Sequence, residues 1–340
     1  YLLFDDVIYP EAAQTEHQQL CEVINKISNY ESPCIAFTDL LSEIISNSEV
    51  RNEMLKEMIS SENVNPSLAD HLYNLDSKSL IKSIIRGRDN QGNIFFRNPI
   101  VNLIFTRDIA FSFGGSTVVS WNTKSVRNRE NILTKYLFKT HPALNKNRCI
   151  FFHDEFPDLN VEGGDILVLS PETICIGISE RTSIKSIEAL TPYFISEGFT
   201  NILGVELPKQ RAQMHLDTVF TQTSKSEYLA YTPTLNNSGL FRFSESEPMG
   251  KKESHSLLDE IKNLNSDVNI IPCGGSECSI AQSREQWTDG ANAFAVGPGK
   301  IILYERNKYT LKELEKHGYK IYSANDIISD NFSLNQKFVV

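Results

Sequence analysis

The sequence predicts an α/β protein that carries an all-helical insertion, and three observations point there. From Pro99 onward, short β-branched and apolar runs alternate with segments whose apolar residues recur at helical spacing. Between about Leu40 and Arg88 the β-branched runs vanish, and apolar residues come in helical pairs instead. Near the middle, Val161 to Thr182 reads as a buried hairpin, Ile166 to Leu169 and Thr173 to Ile178, joined by Ser-Pro-Glu with a proline where the turn needs its fixed φ.

Composition narrows the class. At 340 residues, 40% hydrophobic and 22% charged, the chain suits one large globular domain or one with an insertion. Its 43 acids against 33 lysines and arginines leave a net charge of −10, which disfavours a nucleic-acid partner and is compatible with a cationic small substrate. No apolar run approaches the length of a membrane span, so no membrane partner is expected. Six cysteines, Cys21, Cys34, Cys149, Cys175, Cys273 and Cys278, show no metal-type C-x-x-C spacing and read as reduced cytoplasmic thiols. The chain opens at Tyr1 without a methionine and closes on Phe338-Val339-Val340, so terminal pieces are expected to lie outside it.

Taken in order, Leu2-Leu3-Phe4-Asp5-Asp6 precedes a helical pattern through Ala12, Leu20, Val23 and Ile27, and Cys34 to Phe37 reads as a short buried strand. The helical stretch follows, closed by the polar loop Gly87 to Gly92, with strands resuming at Ile94 to Phe96. We expect residues 1–39 and 93–340 to form the α/β domain and 40–92 the insertion. Asn102 to Asp108 reads as an apolar strand ending in Arg and Asp, a place where α/β folds often put chemistry. Ile109 to Phe113 and Thr117 to Ser120 flank a Gly114-Gly115 turn, and Arg127-Asn-Arg-Glu130 opens a helix. A cation at a helix start opposes the dipole, so Arg127 is either a solvated residue or one with a task.

In the central segment, Glu162 and Asp165 flank two glycines, with Arg181 past the second strand; a plain Gly-Gly turn with solvated acids fits equally well. His215 and Asp217 stand two apart in an apolar run, which as a strand would put both on one face, although a lone buried histidine is usually a satisfied core residue. Phe241 to Ser256 reads as a surface excursion before a helix at Leu257 to Leu264. A hairpin around Gly297-Pro-Gly299, a Thr310-x-x-Glu313 capping box and a strand at Lys320 to Ser323 complete the pattern. The unit of hairpin plus helix recurs several times.

Together, Asp108, Glu162, Asp165 and Asp217, one histidine and two arginines suit a planar cation held by carboxylates, with an anion gripped by arginine; L-arginine meets both demands. Six segments carry a resemblance: Asn102-Leu-Ile-Phe-Thr-Arg-Asp108, Arg127-Asn-Arg-Glu130, Glu162-Gly-Gly-Asp165, Gly177-Ile-Ser-Glu-Arg-Thr182, Met214-His-Leu-Asp-Thr218 and Arg284-Glu-Gln-Trp-Thr-Asp-Gly290. In this order and spacing the chain resembles the arginine deiminases, guanidino-modifying enzymes of the pentein fold. The resemblance implies a five-bladed pseudo-symmetric α/β propeller and hydrolysis of L-arginine to L-citrulline and ammonia through a Cys-linked thiouronium. It implies His215 as general acid and base, Glu162 holding it, and Asp108 and Asp217 on the guanidinium. Asn102, Phe105, Asp165, Arg127 and Arg181 would line the pocket, the arginines holding the substrate carboxylate. No cofactor and no metal are expected, and a homo-oligomer is. The family's nucleophilic cysteine sits in a C-terminal glycine-rich loop that matches none of the six cysteines, so it is expected outside these residues. Agmatine deiminase, methylarginine hydrolase, amidinotransferase and an inactive arginine-binding homologue are the alternatives.

Overall fold

The computed structural model describes residues 8–29, 31 and 33–340. The Leu2 to Asp6 run lies outside the described residues. Among the described residues the chain divides into two compact units, one holding 35–163 and the other 8–29, 31, 33–34 and 164–340.

The first unit is built on four helices, Phe37–Ile45, Ser48–Ser61, Pro66–Asn74 and Ser77–Arg86. Asn47, Asn65 and Asp76 cap three of them by accepting first-turn amides, and Gly87, at φ 76°, ends the last in the left-handed conformation that only glycine adopts freely. Their apolar faces, among them Leu41, Met54, Leu55, Leu72, Leu80 and Ile84, share one core with Ile132, Leu133 and Leu137 of the helix Asn128–Thr140. A three-stranded sheet completes the unit. Ala110–Phe113 and Ser116–Val119 form the expected hairpin, and Arg148–Phe151 pairs parallel to its second strand.

Three expected strands are absent from these places. Cys34 to Phe37 is coil running into a helix that begins at Phe37, with Ile35 exposed and, among the described residues, no strand beside it. Ile94 to Phe96 makes only an isolated bridge, Arg88 to Ile94, because the amides of Phe95 and Phe96 both donate to Gly87 O and fold the chain back on itself. Asn102 to Asp108 is a 3-10 turn, Asn102–Ile104, then a helical turn, Thr106–Ile109; Ile104 and Phe105 are exposed, and among the described residues no strand pairs with this segment.

The second unit repeats one motif three times: an antiparallel hairpin, a helix, and a strand parallel to the hairpin. Ile166–Ser170 and Thr173–Ile178 lead through helix Ile184–Ser196 to Asn201–Glu206. Phe220–Ser224 and Glu227–Ala230 lead through Leu257–Leu264 to Asn269–Pro272. Phe294–Gly297 and Lys300–Ile302 lead through Lys308–Lys316 to Lys320–Ile321, with Phe338–Val339 inserted between. The stretch read as a surface excursion instead supplies Leu240–Phe243 and Lys251–Lys252, which extend the first of these sheets to five strands. Leu203, Val205, Leu216, Phe220, Leu229, Ile271, Ile301 and Leu314 meet in one core.

The expected Thr310 capping box is displaced. The helix starts at Lys308, and Glu285 takes up the amides of Tyr309 and Thr310 at 2.8 and 2.7 Å, so a side chain from another helix does the capping. No helix among the described residues is long and apolar enough to cross a membrane.

Candidate active site

On the first unit, the turn Thr106–Ile109 carries Asp108 and the start of helix Asn128–Thr140 carries Arg127. Arg127 Nη1 lies 2.6 Å from Asp108 Oδ2 and Nε 2.7 Å from Glu130 Oε2, while Nη2 donates to the carbonyls of Asn102 and Phe105 at 3.3 Å each. Arg127 is buried, and Glu130 is fully so. Burial opposes the charge of Arg127, but Glu130 and Asp108 outweigh it and raise its pKa; burial raises that of Glu130 against the pull of Arg127.

This settles the helix-start cation: Arg127 is neither solvated nor idle. At least four of its five N–H donors are committed inside the unit, to Asp108, Glu130 and the carbonyls of the 102–105 turn. Asn102 is buried beneath this turn, and its Nδ2 has no hydrogen-bond partner among the described residues. Phe105 is 45% exposed.

Glu162 is completely buried on the same unit. The bridge between Trp121 and Val161 aligns it, and Oε1 accepts from Thr123 N at 3.0 Å. Gly163 beside it admits the Asp108 turn, since a Cβ there would stand 2.1 Å from Arg107 O.

On the second unit, Asp165 is buried and both its oxygens are used. Oδ1 accepts from Leu216 N at 3.0 Å, and Oδ2 from Ser179 Oγ at 2.7 Å. Burial pushes its carboxyl up to about 7 against the pull of His215 and of the donors Ser179, Thr182 and Leu216. Asp165 thereby pins the backbone amide between His215 and Asp217. Gly177 makes room for it, because a Cβ there would fall 2.1 Å from Asp165 Oδ1.

His215 and Asp217 are buried, 6% and 4% exposed. They stand not on a strand but on the 3-10 turn Leu216–Thr218, with His215 extended as its N-cap. The strand reading fails because a carboxylate, not a neighbouring strand, takes up the Leu216 amide. Thr218 Oγ1 closes the turn on His215 O at 2.6 Å. From helix Ser279–Trp287, Gln286 Nε2 donates to Ala212 O and Thr218 O at 2.6 and 3.3 Å. Arg181 is buried, with Nε 3.1 Å from Glu180 Oε1 and Nη2 3.6 Å from Met214 Sδ.

Sequence reasoning passed over Glu130, Ser179 and Gln286 as individuals. Each lies inside a quoted motif, and for Glu130 the i,i+3 spacing from Arg127 was the available signal. The six cysteines are all free thiols. Burial raises the thiols of Cys175, Cys34 and Cys149, and pushes that of Cys273 up to about 12. Cys21 lies on the helix Pro10–Ile27 and Cys278 is exposed at the start of Ser279–Trp287.

The family model for arginine deiminase matches residues 1–82 and 77–325. The arginine deiminase of Borrelia garinii subsp. bavariensis is 33% identical over 94% of this chain and 84% of its own length, and that of Bacillus cereus 32% over 94% and 85%. A solved structure, the product-bound N-terminal domain of ArgZ, an arginine dihydrolase from cyanobacteria, has a TM-score of 0.45 at 18% identity, covering 67% of this chain and 71% of that one, a likeness too remote to argue from.

Proposed function

The chain belongs to the arginine deiminase family, and on that premise we propose that it hydrolyses L-arginine to L-citrulline and ammonia with the groups described above in defined roles. It is a hydrolase acting on C–N bonds. A thiolate attacks the guanidinium carbon, and a proton passes from His215 to the departing nitrogen, which leaves as ammonia. Water then adds to the thiouronium, giving its proton to His215, and the thiolate is expelled as citrulline forms. Asp108 and Asp217 accept from the guanidinium N–H groups and keep the cation aimed, Glu162 orients His215, and Arg181 takes the α-carboxylate.

Two roles differ from those the resemblance alone implies. Arg127 acts through Asp108, as its anchor, and Asp165 acts through His215 and Asp217, as the latch of their turn. The observation that carries the reading is this preorganisation: each unit holds its acids or its histidine in place with buried, hydrogen-bonded side chains before any substrate arrives. Assigning both sets to one arginine rests on the family's motifs falling on these positions. We place the attacking thiolate outside residues 1–340, because the thiols with resolved shifts are held toward the neutral form, and neither Cys21 nor Cys278 lies in a family motif.

The fourfold recurrence of hairpin, helix and parallel strand supports a five-bladed propeller, with 40–92 inserted into the catalytic domain of 1–39 and 93–340. Free thiols throughout suit a reducing cytoplasm. The test is citrulline formation by the full-length protein given L-arginine, agmatine or methylarginine, with the His215→Ala variant beside it. Citrulline from arginine alone, lost in the variant, is expected; turnover of agmatine or methylarginine instead would assign a sister activity, and an unaffected variant would remove His215 from the chemistry.

A further inference from the structure

The end of helix Ser77–Arg86 and the loop that follows it place three arginines, Arg86, Arg88 and Arg97, in the lining of one cavity of about 730 Å³. All three are exposed, and among the described residues none has a carboxylate partner. Arg86 Nη1 reaches only Asn90 Oδ1, at 3.5 Å. The one acid in the lining, Asp89, is already committed. It accepts from Gln91 N, Asn93 N and Asn93 Nδ2 at 2.8, 2.9 and 2.7 Å, and lies 3.0 Å from His71 Nε2. In a chain of net charge −10, three arginines against one carboxylate in the lining of one cavity leave a local surplus of positive charge that calls for an external anion.

The loop is built to hold them. Gly87 O takes the amides of Phe95 and Phe96 at 2.9 and 3.0 Å, and Arg88 bridges Ile94. Arg129 lies 4.2 Å over the Phe96 ring and donates to Ile84 O at 2.7 Å and to Asn98 O. The backbone roots of the cations are thus preset, which lowers the ordering cost of binding. Beside them, Ile94 is 63% exposed and lines the same cavity with Pro99, an apolar surface next to the charges.

We propose that this cavity binds a small phosphate ester, its phosphate held by the forks of Arg88 and Arg97 with Arg86 adding charge, and its organic body resting on Ile94 and Pro99. The planar guanidinium fork matches phosphate oxygens two at a time, and a dianionic group balances the surplus that a single carboxylate would leave. The strongly acidic remainder of the chain disfavours an extended nucleic-acid strand. The site is separate from the residues assigned to arginine hydrolysis and does not depend on that assignment.

Calorimetric titration of the full-length protein at low ionic strength, with ADP, pyrophosphate, inorganic phosphate and adenosine, tests it. One saturable site is expected for ADP, weaker for inorganic phosphate, absent for adenosine, and weakened by added salt. Arg88→Gln with Arg97→Gln should loosen ADP at least about tenfold, while citrulline formation without ligand stays unchanged. The lysine pair at the same positions should recover part of the loss. Slowed hydrogen exchange over residues 87–97 on adding ADP gives a readout that needs no variant. No saturable binding, binding undiminished in the glutamine variant, or adenosine binding as well as ADP would each overturn the proposal.

Discussion

Replacing Asp165 by asparagine separates the cost of its charge from the value of its hydrogen bonds. In the folded protein burial lifts this carboxyl from 3.8 to about 7. A gap of roughly three pH units corresponds to roughly 4 kcal/mol as an upper figure. The native state binds the proton more tightly than the unfolded chain does, so the contribution is fully present below about pH 4. It is lost, at up to about 1.4 kcal/mol per pH unit, as pH rises toward 7, and stays level above that. Asparagine carries no charge at any of these pH values, but it offers one acceptor where Leu216 N and Ser179 Oγ now share two. The wild type should therefore be the more stable protein at pH 4, and its advantage should shrink or reverse by pH 8. Urea unfolding followed by fluorescence, from pH 4 to 8, gives both curves, and the uncharged denaturant leaves the electrostatics unscreened. A difference between the two proteins that does not change across this range would refute the account of Asp165 as a buried latch.

Gly177→Ala drives a methyl into the Asp165 carboxylate and the Leu216 side chain; a loss of about 1–3 kcal/mol and a lower kcat are expected, and an unmoved urea midpoint would show that the latch has slack. Glu130→Gln takes the inner charge from Arg127, a change that costs roughly 3–5 kcal/mol when a buried pair is broken, so the melting temperature and kcat/KM should fall together. A variant that melts like the wild type would mean that Arg127 is held by other means. Gln286→Ala leaves the carbonyls of Ala212 and Thr218 without this donor and should cost about 1–2 kcal/mol, with slower turnover; full activity would detach the Gln286 helix from the His215 turn.

The hairpins and amphipathic helices were legible in the sequence because they follow simple periods. Ile166 to Ile178 is two short β-branched and apolar runs split by Ser-Pro-Glu, and the pairs along 40–88 keep helical spacing. The turns that carry Asp108 and His215 were not. Both are apolar runs, and an apolar run is strand-like when read alone; here their backbone groups are taken up by distant side chains, Arg127 for the first and Asp165 for the second. Such partners lie 22 to 51 positions away, beyond any local pattern. For the same reason the contacts that tie Asp165 and Arg127 to neighbouring loops could not be read from the sequence. Glu162, His215 and Asp217 were singled out through the order of whole motifs rather than through any property of the single residues.

The five-stranded sheet has a further effect on how the protein behaves in concentrated solution. An unpaired strand edge is a template for another chain, and Asn201–Glu206, carrying Ile202, Leu203 and Val205, would be a long apolar one. The segment donated from the following repeat, Leu240–Phe243, covers that edge along its length. The outermost strand is then only Lys251–Lys252, two residues long, both exposed and both positively charged. Two like charges on so short a border repel a second copy before it can add its own strand, so the detour between hairpin and helix of that repeat guards this edge of the sheet against edge-to-edge aggregation.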